Sequence, residues 1–155
     1  MQPGGKKKVD VVAVTVALEI IARYEALFRN AGFHPGEVTT SALAALNLYD
    51  GEGLAVVAKL AGRSLTVMVL EGSALKLFRS VTLDEVTGEE ILAVLHPTFA
   101  YVEDELGSPV RKLVLCGFPQ GALPDFPCEV ELLRSRLGAP APFNAGLLGY
   151  MEARQ

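Results

Sequence analysis

Cysteine, histidine and long apolar runs are scarce in this sequence, and each shortage removes a class of protein. The chain of 155 residues has 2 cysteines and 2 histidines. Because two cysteines at this spacing fit neither a disulfide framework nor a zinc site, we interpret Cys116 and Cys128 as buried thiols in a reducing compartment. No run approaches the ~18 consecutive apolar residues that a membrane-spanning helix needs. The sequence therefore predicts no metal centre and no direct membrane insertion.

An excess of basic residues is missing as well. The chain has 14 Lys and Arg against 18 Asp and Glu, a net charge of -4, which argues against a dedicated nucleic-acid surface. Its one basic run, at residues 6–8, follows two glycines near the amino end. We predict that residues 1–8 are a disordered or appended tail and that residues 9–155 form one domain. Residues 9–18 follow charges and lack a small-residue cleavage site, so we expect no signal peptide.

Apolar residues, by contrast, are plentiful. Hydrophobic residues make up 50% of the chain and charged residues 21%, which favours a packed core over disorder. The mean hydropathy of +0.33 is high. Two explanations fit this value equally well: a richly apolar interior, or one face that a partner or another copy covers.

Three apolar runs with two turn signals between them stand at the centre of the sequence. They occupy residues 56–58, 65–70 and 75–78, and their composition suits a pleated, buried surface. Gly62 and Gly72 lie in the short connections, where hairpins favour glycine. We therefore predict an antiparallel three-stranded meander over residues 53–82, with the rest of the chain packed around it.

The flanking segments predict further strands and helices. Strands are expected at residues 9–16, 37–40 and 110–116, and helices at residues 17–31, 42–48, 88–106, 129–137 and 145–153. The expected N-caps are Thr15, Ser41, Thr87 and Asn144. Pro97 lies inside the third helix, so a kink or break is expected near His96. Together these elements predict an α/β fold, with a mixed sheet and helices on both faces.

Few residues are candidates for catalysis or for ligand binding. Cys116 ends a predicted strand, but no histidine stands at a spacing typical of a cysteine nucleophile, so a buried thiol is the favoured interpretation. Residues 59–64 form the only phosphate-like turn, yet they lack the Gly-Lys-Ser of a Walker sequence, which favours a plain hairpin. Gly117 begins a loop at the carboxyl end of a predicted strand, where α/β sheets commonly bind ligands.

Four stretches of the sequence, together with the predicted hairpin, carry a likeness to a known family: VVAVTVALEIIARYEALFRNAGFHP, EVTTSALAAL, RKLVLCGFPQ and RLGAPAPFNAGLLGYM. They resemble the type IV pilus assembly protein PilM family of actin-like ATPases, and residues 55–72 align without gaps with that family's second phosphate loop and hairpin. The resemblance implies a ribonuclease H-like core and a cytoplasmic location, peripheral to the inner membrane through a partner. The implied partner is the cytoplasmic tail of a PilN-like inner-membrane protein, with self-association as the second option.

The departures from that family concern the groups that bind a nucleotide. Where the family has an aspartate followed two residues later by a glycine, this sequence has Ala58 and Leu60. The carboxylate that would organise Mg²⁺ is missing, and so is the residue that lets backbone approach a phosphate. Relative to the family, the chain begins after the first phosphate loop, and residues 82–88 leave no room for the subdomain that forms the cleft's other wall. We therefore expect no cofactor, no metal and no ATPase activity.

Three functional hypotheses follow from these observations. The first is a non-catalytic interaction scaffold, which presents a hydrophobic groove or sheet edge from its first helix and strand to a partner peptide or another copy. The second is a weak nucleotide-responsive regulatory domain, which binds ATP or ADP through Arg63, Ser64 and Gly117. The third, less favoured, is an enzyme built around Cys116; no catalytic residue is assigned in the first two.

Overall fold

The computed structural model describes residues 11–119 and 128–155, which divide by their contacts into two compact units, a smaller one up to Val38 and a larger one from Thr39 onward. The elements in chain order are α1 (Leu18–Asn30), α2 (Ser41–Ala45), a 3-10 turn (Leu46–Leu48), β1 (Leu54–Ala61), β2 (Ser64–Glu71), β3 (Ala74–Thr82), α3 (Gly88–Leu106), β4 (Lys112–Cys116), β5 (Glu129–Leu132) and α4 (Ala145–Glu152). The predicted tail at residues 1–8 lies outside the described residues. One domain over residues 9–155 stays a prediction.

The larger unit is a mixed α/β fold on a five-stranded sheet of order β3-β2-β1-β4-β5. The predicted meander is confirmed, since β2 pairs antiparallel with both β1 and β3. Gly62 and Gly72 have φ values of +58° and +57° in its two turns, the left-handed conformation that glycine adopts at little cost. β4 is parallel to β1 and β5 is parallel to β4, so β4 is the interior strand that the sequence predicts.

Each face of the sheet carries its own apolar core, because successive side chains of a strand point to opposite sides. On one face, residues such as Val56, Leu65 and Leu113 pack with Ile91 and Leu95 of α3. On the other face the core combines strand residues with α2, the 3-10 turn and α4, and includes Val57, Met68, Val114, Ala42, Leu48 and Ala145. Helices therefore lie on both faces, as predicted.

Helix α3 begins and ends as its sequence predicts. The side chain of Thr87 accepts a hydrogen bond from the Glu90 amide at 3.3 Å, and Gly107 ends the helix with a φ of +64°. Of the kink or break expected near His96, the break is wrong, because the helix runs without interruption through Pro97, and the kink stays a prediction. Burial of one face of α3 against the sheet outweighs the backbone hydrogen bond that proline removes.

Three other predicted elements are wrong within the described residues. Residues 11–16, the described part of the first predicted strand, and residues 37–40 adopt no strand. A β-branched run becomes a strand only where another strand pairs with it, which sequence composition does not report. The predicted helix at residues 129–137 is instead strand β5 followed by irregular backbone, because pairing with β4 overrides the helical spacing of its apolar residues.

Helices α2 and α4 meet through small residues, and their predicted caps need correction. Thr40 rather than Ser41 caps α2, accepting from the Leu43 amide at 3.2 Å. Asn144 precedes α4 but accepts a hydrogen bond from the Ala141 amide at 2.6 Å instead of capping the helix. A Cβ added to Gly149 would collide with the Ala44 carbonyl oxygen, so the two helix backbones are in direct contact.

Candidate functional site

The smaller unit exposes an apolar stripe on α1, which we call the α1 surface: Ile20, Tyr24, Leu27 and Phe28. Helix α1 is confirmed as predicted, except that it begins after Ala17 with no side-chain cap from Thr15 or any other residue. None of its residues is buried, and Tyr24 and Leu27 are each 67% exposed. Tyr24, Leu27 and Phe28 follow Ile20 by four, seven and eight residues, and this spacing places all four side chains on one face of a helix.

Polar side chains complete the amphipathic pattern of α1. Glu19, Arg23, Glu25 and Arg29 give the helix two charges of each sign, and Arg29 forms an ion pair with Glu25 at 2.8 Å. Residues 11–16, just before the helix, add four valines that are about half or more exposed. Contiguous exposed apolar patches on proteins commonly mark interaction sites.

Arg63 and Ser64, which the sequence offers as nucleotide contacts, bond within the sheet instead. The Arg63 Nε donates to the Leu83 carbonyl at 2.7 Å, and its guanidinium lies 3.7 Å from the Asp84 carboxylate. The Ser64 hydroxyl lies 3.4 Å from the Ser80 hydroxyl. The turn between β1 and β2 is a two-residue connection, so the hairpin predicted at residues 59–64 is present.

Gly117, the third nucleotide candidate, packs against the end of β1. Its φ is +80°, and an added Cβ would collide with the Leu60 carbonyl oxygen and touch Pro142. The glycine is therefore required by close backbone packing. The structure does not bring Arg63 and Gly117 around one space, because Arg63 is bonded beside the end of β3. Nucleotide binding through these residues stays a prediction.

Ala58 and Leu60, at the positions where the PilM family has its aspartate and glycine, lie inside strand β1. They are 0% and 3% exposed and belong to the core beneath α3. The place of the missing carboxylate is thus filled by apolar packing.

A row of polar side chains crosses the opposite face of the sheet, and we call it the polar row: Ser80, Thr66, Lys59 and Cys116. They occupy paired positions on β3, β2, β1 and β4, and the Thr66 and Ser80 hydroxyls lie 3.1 Å apart. The sequence analysis missed this row. Its one available signal is a lysine inside the apolar run VVAKLA; the neighbours become visible only through strand register.

Lys59 is the buried charge of the polar row, with 3% of its surface exposed. Its Nζ donates to the Pro142 carbonyl at 2.9 Å and to the Ser41 hydroxyl at 3.4 Å. Burial lowers the pKa of Lys59, because the ammonium loses hydration, and neighbouring Cys116 opposes this effect. Lys59 thereby connects the first residue of α2 to the segment before α4.

Cys116 lies in an environment that disfavours a nucleophile. It is buried, and its Sγ lies 4.0 Å from the Ala141 carbonyl oxygen. Burial raises the pKa of the Cys116 thiol, with Lys59 acting in the opposite direction, and the thiolate is the reactive form. Among the residues that the structure describes, no group of three His, Cys, Asp or Glu side chains could hold a metal ion.

We expect a soluble disulfide reagent to modify Cys128 at least about tenfold faster than Cys116 in the native protein, because Cys128 is partly exposed. Measuring both rates in single-cysteine variants, Cys116→Ser and Cys128→Ser, tests this expectation. A faster reaction at Cys116 would instead support the hypothesis of an enzyme with Cys116 as its nucleophile.

Comparison with known proteins gives a limited likeness. A solved structure from Bacteroides thetaiotaomicron VPI-5482, described as a protein with actin-like ATPase fold and unknown function, is similar to 52% of this chain, with 17% sequence identity and a TM-score of 0.37. The matched part is 30% of that protein, so this chain spans less than a third of its length. No protein-family model and no curated protein matches the sequence.

Proposed function

We propose that this protein is a non-catalytic interaction scaffold of the kind that the resemblance to PilM implies. The α1 surface carries the proposal, because its four large apolar side chains share one face of a helix in which no residue is buried. Its occupant is an apolar segment of a partner, namely the cytoplasmic tail of a PilN-like inner-membrane protein. The location would be cytoplasmic, at the inner membrane only through that partner.

The charges of α1 favour a protein over a lipid surface as the occupant. Helices that bind anionic membranes carry an excess of Lys and Arg on the polar face, whereas α1 has two acidic and two basic residues. No helix in the described residues is long and apolar enough to cross a membrane. Apolar anchors at helical spacing suit the packing of a partner helix or peptide.

The sheet is consistent with the ribonuclease H-like part of the proposal. An antiparallel meander is continued by two parallel strands, with helices on both faces. Gly117 and Ala58 are committed to packing within this sheet, which leaves their positions without the backbone space and the carboxylate that the nucleotide site of the family requires. These observations support a scaffold without ATPase activity.

A charge placed on the α1 surface should abolish docking without affecting stability. We expect Leu27→Asp to weaken binding of a PilN-type tail peptide about 30-fold or more, since central apolar anchors are worth ~2 kcal/mol or more. Leu147→Asp is the matched control, because Leu147 is a similarly exposed leucine on another helix, at 62% against 67%. Fluorescence anisotropy of the labelled peptide measures the affinities, and circular dichroism checks the melting temperatures.

The alternative to a partner tail at the α1 surface is a second copy of the chain. Light scattering that shows a dimer in the wild type and a monomer in Leu27→Asp would assign the surface to self-association instead of a tail. A wild-type protein that is monomeric and binds no tail would contradict the proposal.

A further inference from the structure

The segment at residues 139–142, which we call the flap, is held to the sheet by the polar row. Lys59 donates to the carbonyl of Pro142, and the Cys116 thiol lies 4.0 Å from the carbonyl of Ala141. The flap also forms one wall of an open pocket of about 970 Å³ at the carboxyl ends of β4 and β5. Gly117 and Phe118 lie on another part of this pocket's lining. Any movement of the flap therefore changes the pocket.

No carboxylate is hydrogen-bonded to Lys59 among the residues that the structure describes. Described neighbours of Lys59 on the packed elements are the thiol of Cys116 on β4, the hydroxyl of Thr66 on β2, the hydroxyl of Ser41 on α2 and the carbonyl of Pro142. The two neutral acceptors offset only part of the free-energy cost of burying the ammonium. An unpaired buried charge costs much more than one hydrogen bond contributes.

We propose that Lys59 makes the flap charge-controlled: the flap opens transiently so that the protonated amine reaches water, and it stays closed when the charge is removed. The direction follows from linkage between protonation and opening. With the flap closed, burial lowers the pKa of Lys59 from its usual 10.5; with the flap open, the hydrated amine has the usual value. Protonation therefore favours the open form, and raising the pH toward 10.5 favours the closed form.

Opening has a consequence for the pocket. Lys59 lies behind Pro142, so an open flap would add a second cation to a pocket whose lining already includes Arg134 and Glu131. An anionic group would then bind the open form more tightly than the closed form. This regulation concerns the larger unit and does not depend on docking at the α1 surface.

Hydrogen exchange of single amides tests the flap directly. Two reporters are the Ala141 amide, which donates to Asn144 Oδ1, and the Ala145 amide, which donates to the Ala141 carbonyl. At pH 7 we expect Lys59→Met to increase the protection factors of both amides about tenfold over the wild type, because the driving charge is gone. In the wild type the protection factors, corrected for intrinsic exchange rates, should rise as the pH approaches 10.5, and in Lys59→Met they should stay constant.

Matched variants separate this effect from ordinary destabilisation. Lys112→Met removes another lysine of the same sheet, one that is paired with Glu131 at 3.0 Å, and should leave both reporters unchanged. The pH series is repeated with Cys116→Ser, which removes the other titrating neighbour. Faster exchange of the reporters in Lys59→Met at pH 7 would show that the ammonium holds the flap closed, and would overturn the proposal. If Lys59→Met does not fold, the wild-type pH series is sufficient by itself: protection factors that do not change with pH would overturn the proposal.

Discussion

An Ala58→Asp variant is expected to lose a large part of its free energy of unfolding at 25 °C. The substitution introduces the carboxylate that the sequence resemblance to PilM implies for a nucleotide site, but Ala58 is 0% exposed and packs within the core beneath α3. The described residues of this core are apolar and offer a carboxylate no cation and no side-chain hydrogen-bond donor. The expected cost is about 4 kcal/mol or more, a large part of the 5–15 kcal/mol that typically stabilises a domain.

Urea unfolding followed by circular dichroism measures this loss. Leu132→Asp is the control, because Leu132 lies on the edge strand β5 and is 67% exposed; its free energy of unfolding should change by less than ~1 kcal/mol. An Ala58→Asp protein as stable as the wild type would mean that this position opens to water or to a cation. The interpretation of β1 as an apolar core strand would then be wrong.

Gly149→Ala should be the second most damaging substitution, although alanine is the better helix former. The added Cβ would collide with the carbonyl oxygen of Ala44 in α2, and a backbone atom cannot move aside as a flexible side chain can. Overpacking of this kind costs ~1–3 kcal/mol, and we expect a value near the upper end. The gain of up to ~1 kcal/mol in helix propensity offsets it only in part.

Leu147→Ala provides the comparison on the same helix. Leu147 is exposed on α4, so its truncation should change the melting temperature little, whereas Gly149→Ala should lower it by several degrees. Unchanged stability in Gly149→Ala would show that α2 and α4 are not in backbone contact. Because a Cβ added to Gly146 would also come too close to the Ser41 backbone, at 2.7 Å, Gly146→Ala should have a similar but smaller effect.

The meander and its turns could be predicted from the sequence because their signals are local. Apolar runs of strand length are separated by glycines that take positive φ values, and each turn directly joins the strands that it pairs. The same holds for the cap of α3 at Thr87 and its end at Gly107. These features depend on residues within a few positions of each other.

The predictions that are wrong concern segments whose structure depends on residues distant in the sequence. Residues 11–16 have the composition of a strand but pair with none, while β5 has helical spacing and is a strand because β4 lies beside it. The polar row escaped the sequence analysis for the same reason, since Lys59 and Cys116 become neighbours only through parallel pairing. The nucleotide candidates show the converse. Arg63 and Gly117 are expected to contact one ligand, but Arg63 donates a hydrogen bond to Leu83 and Gly117 packs on Leu60.

Calorimetric titration of the full chain with ATP and Mg²⁺ tests most directly the proposal that the sheet has no nucleotide site. With Ala58 buried and Gly117 packed on Leu60, we predict no saturable heat up to about 1 mM ATP, which corresponds to less than ~4 kcal/mol of binding free energy. The same result is expected with ADP. A saturable isotherm in the micromolar range that disappears without Mg²⁺ would contradict the account.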